Sequence, residues 1–204
     1  MFYSTEGTER PLKPDPFKQL VVPRPIGWIS TMGKNGAVNL APYSFFNAVG
    51  DNPPMVGFGP GGSKEDRPYK DSRANIEETG EFVFNLATWS TRRQMNTTSD
   101  RFPAGVDEFK EAGLTPIPSR LVKPPRVAEA PVHFECRLFT IVELPSNDAG
   151  EPNAFVIGRV VGVHIDDSLV RNGRVDIVAA RPIARLGYSL YSIVDNSFPM
   201  RRPD

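Results

Sequence analysis

The chain has 204 residues, and 24 Lys and Arg balance 24 Asp and Glu, for a formal net charge of zero. One domain fits that length, and a balanced charge supplies no field to gather phosphate backbones or anionic lipid, which argues against nucleic-acid and membrane partners. A lone cysteine, Cys136, excludes an internal disulfide framework and any multi-thiolate metal site.

The expected location is the cytoplasm. No apolar run is long enough to span a bilayer, and the first twenty residues carry Glu6, Glu9 and Asp15 without an apolar signal core. The 21 prolines are about twice the usual share, with 17 glycines beside them. Proline cannot donate to a helix ladder, so helices must be short and a β-rich fold is predicted.

Residues 1–204 read as one domain. Residues 1–19 are polar and broken by Pro11, Pro14 and Pro16, and form an N-terminal arm. Leu20 to Thr31 looks extended, its prolines placing it at a sheet edge or bend. Turn residues Met32 to Gly36 lead into Ala37–Val49, and the two runs suit a β-hairpin. Pro54–Gly59 is a short strand. Asp71–Gly80 is the clearest helix, with Asp71 as N-cap and Gly80 as the glycine that stops it.

Glu81–Leu86 resumes a strand. Residues 88–126 are polar and Pro-broken, an excursion of helix or loop rather than a second domain. Pro131–Leu144 and Ala154–Asp166 are the best strands, joined by a turn at Ser146–Gly150. In the second, Phe155, Ile157, Val161, Val163 and Ile165 fall on one face, and Val156, Gly158, Val160, Gly162 and His164 on the other. That pattern suits a barrel strand packed inside and covered outside.

Several chemistries are excluded by inventory. His133, His164 and one cysteine cannot build a His/Cys zinc site. Gly57–Gly62 mimics a phosphate loop, but Pro60 and the lack of a helix directly behind it favour a surface turn. Cys136, mid-strand among apolar neighbours, reads as a core thiol. What remains is Pro23–Asn47, dense in aromatic, hydroxyl and amide groups, a mixture that suits either a core or a flat ligand with a polar edge. Lys70-Asp71-Ser72 adds a cation and a hydroxyl at a helix start, where an anion is favoured.

Three motifs in order carry a resemblance: Val22-Pro23-Arg24-Pro25-Ile26-Gly27-Trp28-Ile29-Ser30-Thr31, Asn39-Leu40-Ala41-Pro42-Tyr43-Ser44-Phe45-Phe46-Asn47 and Lys70-Asp71-Ser72-Arg73-Ala74-Asn75-Ile76. It continues through Glu81–Leu86, Ile157–Asp166 and Arg181–Tyr188. These runs resemble the flavin reductase-like family of FMN-binding split barrels; the arm and residues 88–126 carry little of the likeness. The resemblance implies a mainly β fold, a six-stranded antiparallel Greek-key split β-barrel with short flanking helices. It also implies a homodimer with FMN near the subunit interface.

By position, the resemblance implies that Trp28–Thr31 and Pro42–Asn47 line the flavin. Ser30, Thr31 and Ser44 supply hydroxyls, Asn47 meets the polar edge of the ring, and Pro42, Tyr43 and Phe45 belong to the same segment. Lys70, Asp71 and Ser72 stand near the phosphate or ribityl chain, Asp71 capping the helix and holding Lys70 or Ser72. Arg24 is a further cation in reach of a phosphate, or a solvated strand arginine. His164 matches a position beside the nicotinamide pocket, or is a strand-end histidine bonded to backbone; His133 is structural. Trp28 is either a wall of the flavin site, with Gly27 leaving room for a flat group, or a core or interface aromatic.

The implied activity is an NAD(P)H:flavin oxidoreductase, drawing on NADH or NADPH and serving an oxygenase or another acceptor. The alternative on the same fold is a non-enzymatic FMN electron carrier or flavin store. Hydride transfer between cofactors needs no protein nucleophile, so no catalytic acid or base is assigned.

Overall fold

The computed structural model describes residues 1–7, 9, 11–63, 68–103, 105–147 and 150–203. After the short helix α1 (Phe17–Leu20), the chain runs through β1 (Arg24–Pro25), β2 (Gly27–Met32), β3 (Val38–Tyr43), β4 (Phe46–Gly50) and β5 (Met55–Phe58). Helix α2 (Asp71–Thr79) leads to β6 (Glu81–Leu86). The excursion then supplies α3 (Arg92–Thr97), α4 (Glu108–Glu111), β7 (Pro116–Ile117) and β8 (Arg126–Val127). The long strands β9 (Val132–Leu144) and β10 (Asn153–Ile165) follow. The small elements β11 (Val170–Arg171), β12 (Arg174–Val175) and α5 (Ile177–Ala180) precede a closing hairpin, β13 (Ile183–Gly187) and β14 (Leu190–Ile193).

Seven strands form one antiparallel sheet in the order β3-β2-β6-β9-β10-β5-β4, curled into a half-barrel. The fold is therefore the mainly β split barrel that the motifs imply, with seven strands where six were expected. The extra strand arises because Ala37–Val49 is not one strand. It breaks at Ser44-Phe45 into β3 and β4, which lie at opposite edges of the same sheet. This two-residue corner brings the edges together. Pro42, with no N–H to donate, sits on edge strand β3 opposite Trp28.

Pro23 and Pro25 behave similarly. β1 is an edge strand, paired with β13 in a separate three-stranded sheet, and the chain bends at Ile26 into β2, an inner strand. β10 makes register shifts against β9 at Ile157/Gly158 and Val160/Gly162, and such bulges increase local bending. Its buried side is Val156, Gly158 and Val160, while Val163 and Ile165 are exposed. The face of Val156, Gly158 and Val160 is therefore the one packed inside. Asp148 and Ala149 of the expected turn lie outside the described residues.

Alternation along β2 sends its two faces into two cores. Ile29 packs with Val56, Phe58, Ile76, Phe82 and Phe84 inside the curl. Trp28 packs with Leu40, Met95, Phe109, Leu114 and Val127 on the other side. The second core explains residues 88–126: polar on average, they carry the few apolar side chains that cover the outer face of β2. Among the described residues, no helix is long and apolar enough to cross a membrane.

Candidate functional site

A cleft of about 1130 Å³ opens at the β3–β4 corner. Ala41–Phe45 forms one wall, Gly59, Gly61 and Gly62 another, and Lys70 and Asp71 present the start of α2. The excursion contributes Thr98–Pro103 and Glu108, the β9–β10 hairpin contributes Asn147 and Glu151–Asn153, and Lys18 reaches in from α1. The corner is tied to the glycine wall by Gly59 N–H donating to Phe45 O at 2.8 Å. Of Gly57–Gly62, expected as a surface turn, Gly57 and Phe58 end β5 and Gly59, Gly61 and Gly62 line this cavity. A side chain at Gly62, whose φ is +92°, would start 3.5 Å from Lys70 Cε, so glycine keeps this wall low beside the lysine.

Six of the expected residues meet here: Pro42, Tyr43, Ser44, Phe45, Lys70 and Asp71. Ser72 lies just beneath, fully buried, in contact with Tyr43 Oη at 3.0 Å. Helix α2 begins one residue earlier than expected of a capping Asp71: Lys70 is the N-cap, with extended backbone, and Asp71 is in the first turn. Lysine has no acceptor to bond back to the first-turn amides, so no side chain of the N-cap closes this end of the helix. The Lys70 ammonium lies over the Tyr43 ring, 5.9 Å from its centroid. Burial pushes the Tyr43 phenol up to about 12; the Ser72 hydrogen bond opposes this and the Glu108 charge adds to it.

Other expected residues are not on the cleft surface. Trp28 is fully buried, its indole N–H donating to Thr98 Oγ1 at 2.9 Å. The space beside Gly27 is filled by Phe46, whose Cδ2 would lie 2.5 Å from an added Cβ, so the flat group there is the protein's own ring. Ser30 is buried and donates to Pro125 O at 2.5 Å, and Thr31 accepts from Asn75 Nδ2 at 3.0 Å. Asn47 is exposed on β4 and accepts from Ala48 N–H. Arg24 is buried behind the corner. Its guanidinium donates to the carbonyls of Lys18 and Val21 and reaches Ser44 Oγ at 3.5 Å, so it is not a solvated arginine.

His164 belongs to a separate cluster. Its Nε2 meets Glu135 Oε1 at 2.5 Å. The fully buried Glu135 carboxylate also accepts from Arg120, Leu121 and Val122 N–H, at 2.8, 2.6 and 3.2 Å. Burial acts to raise the Glu135 pKa, but these hydrogen bonds and His164 hold it below the usual range. His133 Nε2 lies 2.8 Å from Val127 O, and Nδ1 has no partner among the described residues, which fits a neutral Nε2–H ring. The cluster pins the loop at residues 120–122 to β9. Among the described residues, no group of three His, Cys, Asp or Glu is placed to hold a metal ion.

Sequence reasoning missed Asn39, Glu108 and Thr98–Pro103. Asn39 stood within a quoted motif without a role, and Glu108 was one acid among many in a polar stretch.

Fold and cleft together define a class, the split-barrel proteins with a cavity at the strand corner. The flavin reductase like domain model matches residues 19–179, and the chain belongs to that family. The chain is 40% identical over 173 residues to an uncharacterized protein of Aquifex aeolicus, covering 84% of this chain and 85% of that one. Nitrilotriacetate monooxygenase component B from Bacillus cereus has a similar structure, with TM-score 0.86 and 32% identity over 98% of this chain and 99% of that one. The 2-nitrobenzoate 2-nitroreductase NbaA of Pseudomonas fluorescens is similar too, with TM-score 0.84 and 26% identity over 100% and 96% of the chains.

Proposed function

We infer that the protein binds FMN in this cleft and acts as an NAD(P)H-dependent flavin reductase, passing electrons to an oxygenase or another acceptor. One observation carries the reading: an ammonium and the N-terminus of helix α2 share one cavity with the aromatic corner Tyr43–Phe45. That pairing suits an anionic tail joined to a flat apolar body. The similarity to a protein described as a monooxygenase component supports an oxygenase as the acceptor.

The residues present fit the cofactor. Lys70 and the first turn of α2 would hold the phosphate, with Ser72 beneath them and Asp71 in the same turn. Pro42, Tyr43 and Phe45 would give apolar contact, and Ser44 a hydroxyl held by Arg24. Trp28, Ser30 and Thr31 would support the wall from behind, while Asn47, exposed on β4, would stand outside the cleft. FMN supplies hydride acceptance and onward electron transfer; the protein binds, orients and shields. His164 serves the 120–122 loop in this reading, and a homodimer is its assembly.

The test is anaerobic mixing of FMN-loaded protein with NADH and, separately, NADPH, following flavin absorbance. Rapid bleaching by either donor is expected. Retained FMN with no bleaching overturns the reductase in favour of a carrier or store, and failure to retain FMN overturns the binding reading itself.

A further inference from the structure

Four polar side chains link the cleft to helix α4 through one buried chain of hydrogen bonds. Glu108 is buried, and its Oε2 accepts from Leu40 N–H at 3.1 Å, meeting the outward edge of β3. Asn39 lies between Glu108 and Ser72. An amide oxygen turned toward the carboxylate would be repelled, so Nδ2 donates to Glu108 Oε1 at 3.3 Å and Oδ1 accepts from Ser72 Oγ at 2.8 Å. Ser72 Oγ in turn accepts from Tyr43 Oη at 3.0 Å.

A carboxylate only accepts. That single fact orders every proton along the chain: Asn39 donates to Glu108, Ser72 to Asn39, and Tyr43 to Ser72. The phenol proton is committed to Ser72, so Tyr43, which lines the cleft, keeps only hydroxyl lone pairs to offer a ligand there.

We propose that Glu108 is a positioning residue which, through Asn39 and Ser72, fixes Tyr43 as a hydrogen-bond acceptor toward the cleft, selecting a ligand hydroxyl such as those of a ribityl chain. The proposal rests on the FMN reading for its ligand and on the hydrogen-bond chain for its mechanism. Glu108→Gln changes the carboxylate to an amide of the same shape. Its oxygen still serves Leu40 N–H, but its NH₂ now faces Asn39. The Asn39 amide turns, its nitrogen donates to Ser72, Ser72 donates to Tyr43, and the phenol proton is released from Ser72 to a ligand acceptor.

Two measurements test this. In ligand-free protein carrying [13Cζ]tyrosine, hydroxyl exchange in mixed H2O and D2O should show one slowly exchanging phenol, assigned to Tyr43 by its loss in Tyr43→Phe. Glu108→Gln should make that exchange fast, and Ser72→Ala, which cuts the chain midway, should do the same. Persistence of the slow signal in either folded variant overturns the proposal, whether or not FMN binds. The second measurement is FMN affinity. Glu108→Gln should weaken it about tenfold beside Tyr43, the scale of one exchanged hydrogen bond, and less than about twofold in the Tyr43→Phe background. Equal losses in both backgrounds assign Glu108 to the packing of α4 alone. Wild-type protein that binds no FMN overturns the function proposed above while leaving the exchange result to decide the hydrogen-bond polarity.

Discussion

In the proposed reading, Lys70 is the cation that meets the FMN phosphate. Its ammonium is held between the Tyr43 ring and the glycine wall at Gly62. A charge-assisted hydrogen bond contributes about 1.5–3 kcal/mol, so Lys70→Ala should weaken FMN binding about tenfold to a hundredfold. Riboflavin, which lacks the phosphate, should lose much less, and titration calorimetry with both ligands separates the cases. Equal losses would move Lys70 away from the phosphate. His133 sets a different residue-level expectation. Burial pushes its pKa from 6.5 down to about 4, opposed by the Val127 carbonyl and reinforced by Arg126 and His164. The unfolded chain then binds the proton more readily than the folded one. The contribution to stability is complete above about pH 6.5 and is lost as pH falls toward 4, at about 1.4 kcal/mol per pH unit. Urea midpoints between pH 7 and pH 4.5 should fall accordingly, and His133→Gln, which keeps a donor for Val127 O, should flatten that fall.

At the scale of elements, three glycines let aromatic rings lie against strand backbones. Gly27 faces Phe46, Gly57 faces Phe155, and Gly158 faces Phe82. The last pair is the tightest in the core, because Phe82 is fully buried and a Cβ at Gly158 would stand 2.4 Å from its ring. Gly158→Ala should cost about 1–3 kcal/mol through overpacking, read from urea unfolding. An unchanged midpoint would mean that the β9–β10 bulge absorbs the methyl. These pairs also mark where sequence reading stops. β6, α2 and the two long strands were legible from local pattern, since each carries its own periodicity or cap. The break at Ser44-Phe45 was not, because nothing in Ala41–Asn47 announces a corner; its cause is the need to join two sheet edges. Gly27 showed that a ring approaches, but not whose ring. The site divided along the same line. Tyr43, Ser44, Phe45 and Lys70 sit in motifs that meet in space, whereas Glu108 reaches Leu40 across 68 positions of sequence, a contact no local pattern encodes.

For the whole molecule, Phe139, Val142 and Leu144 stand exposed along the outer half of β9, with Phe139 at 69%. Exposed apolar groups on a long hairpin favour burial against a second surface. A homodimer is the expected state, and sedimentation at micromolar concentration should give twice the mass of the chain; a single-chain mass would refute it. The pairing of β1 with β13 has a consequence for how the protein is made. Arg24 lies opposite Arg185, so β1 has to wait for a partner strand made much later in synthesis. Pairings so distant along the chain close slowly, and until they close the growing polypeptide exposes unpaired edges. Synthesis halted before Ile183 leaves β1 with no neighbour to add to, which makes the stalled product a client for chaperones and proteases rather than a smaller version of the native fold.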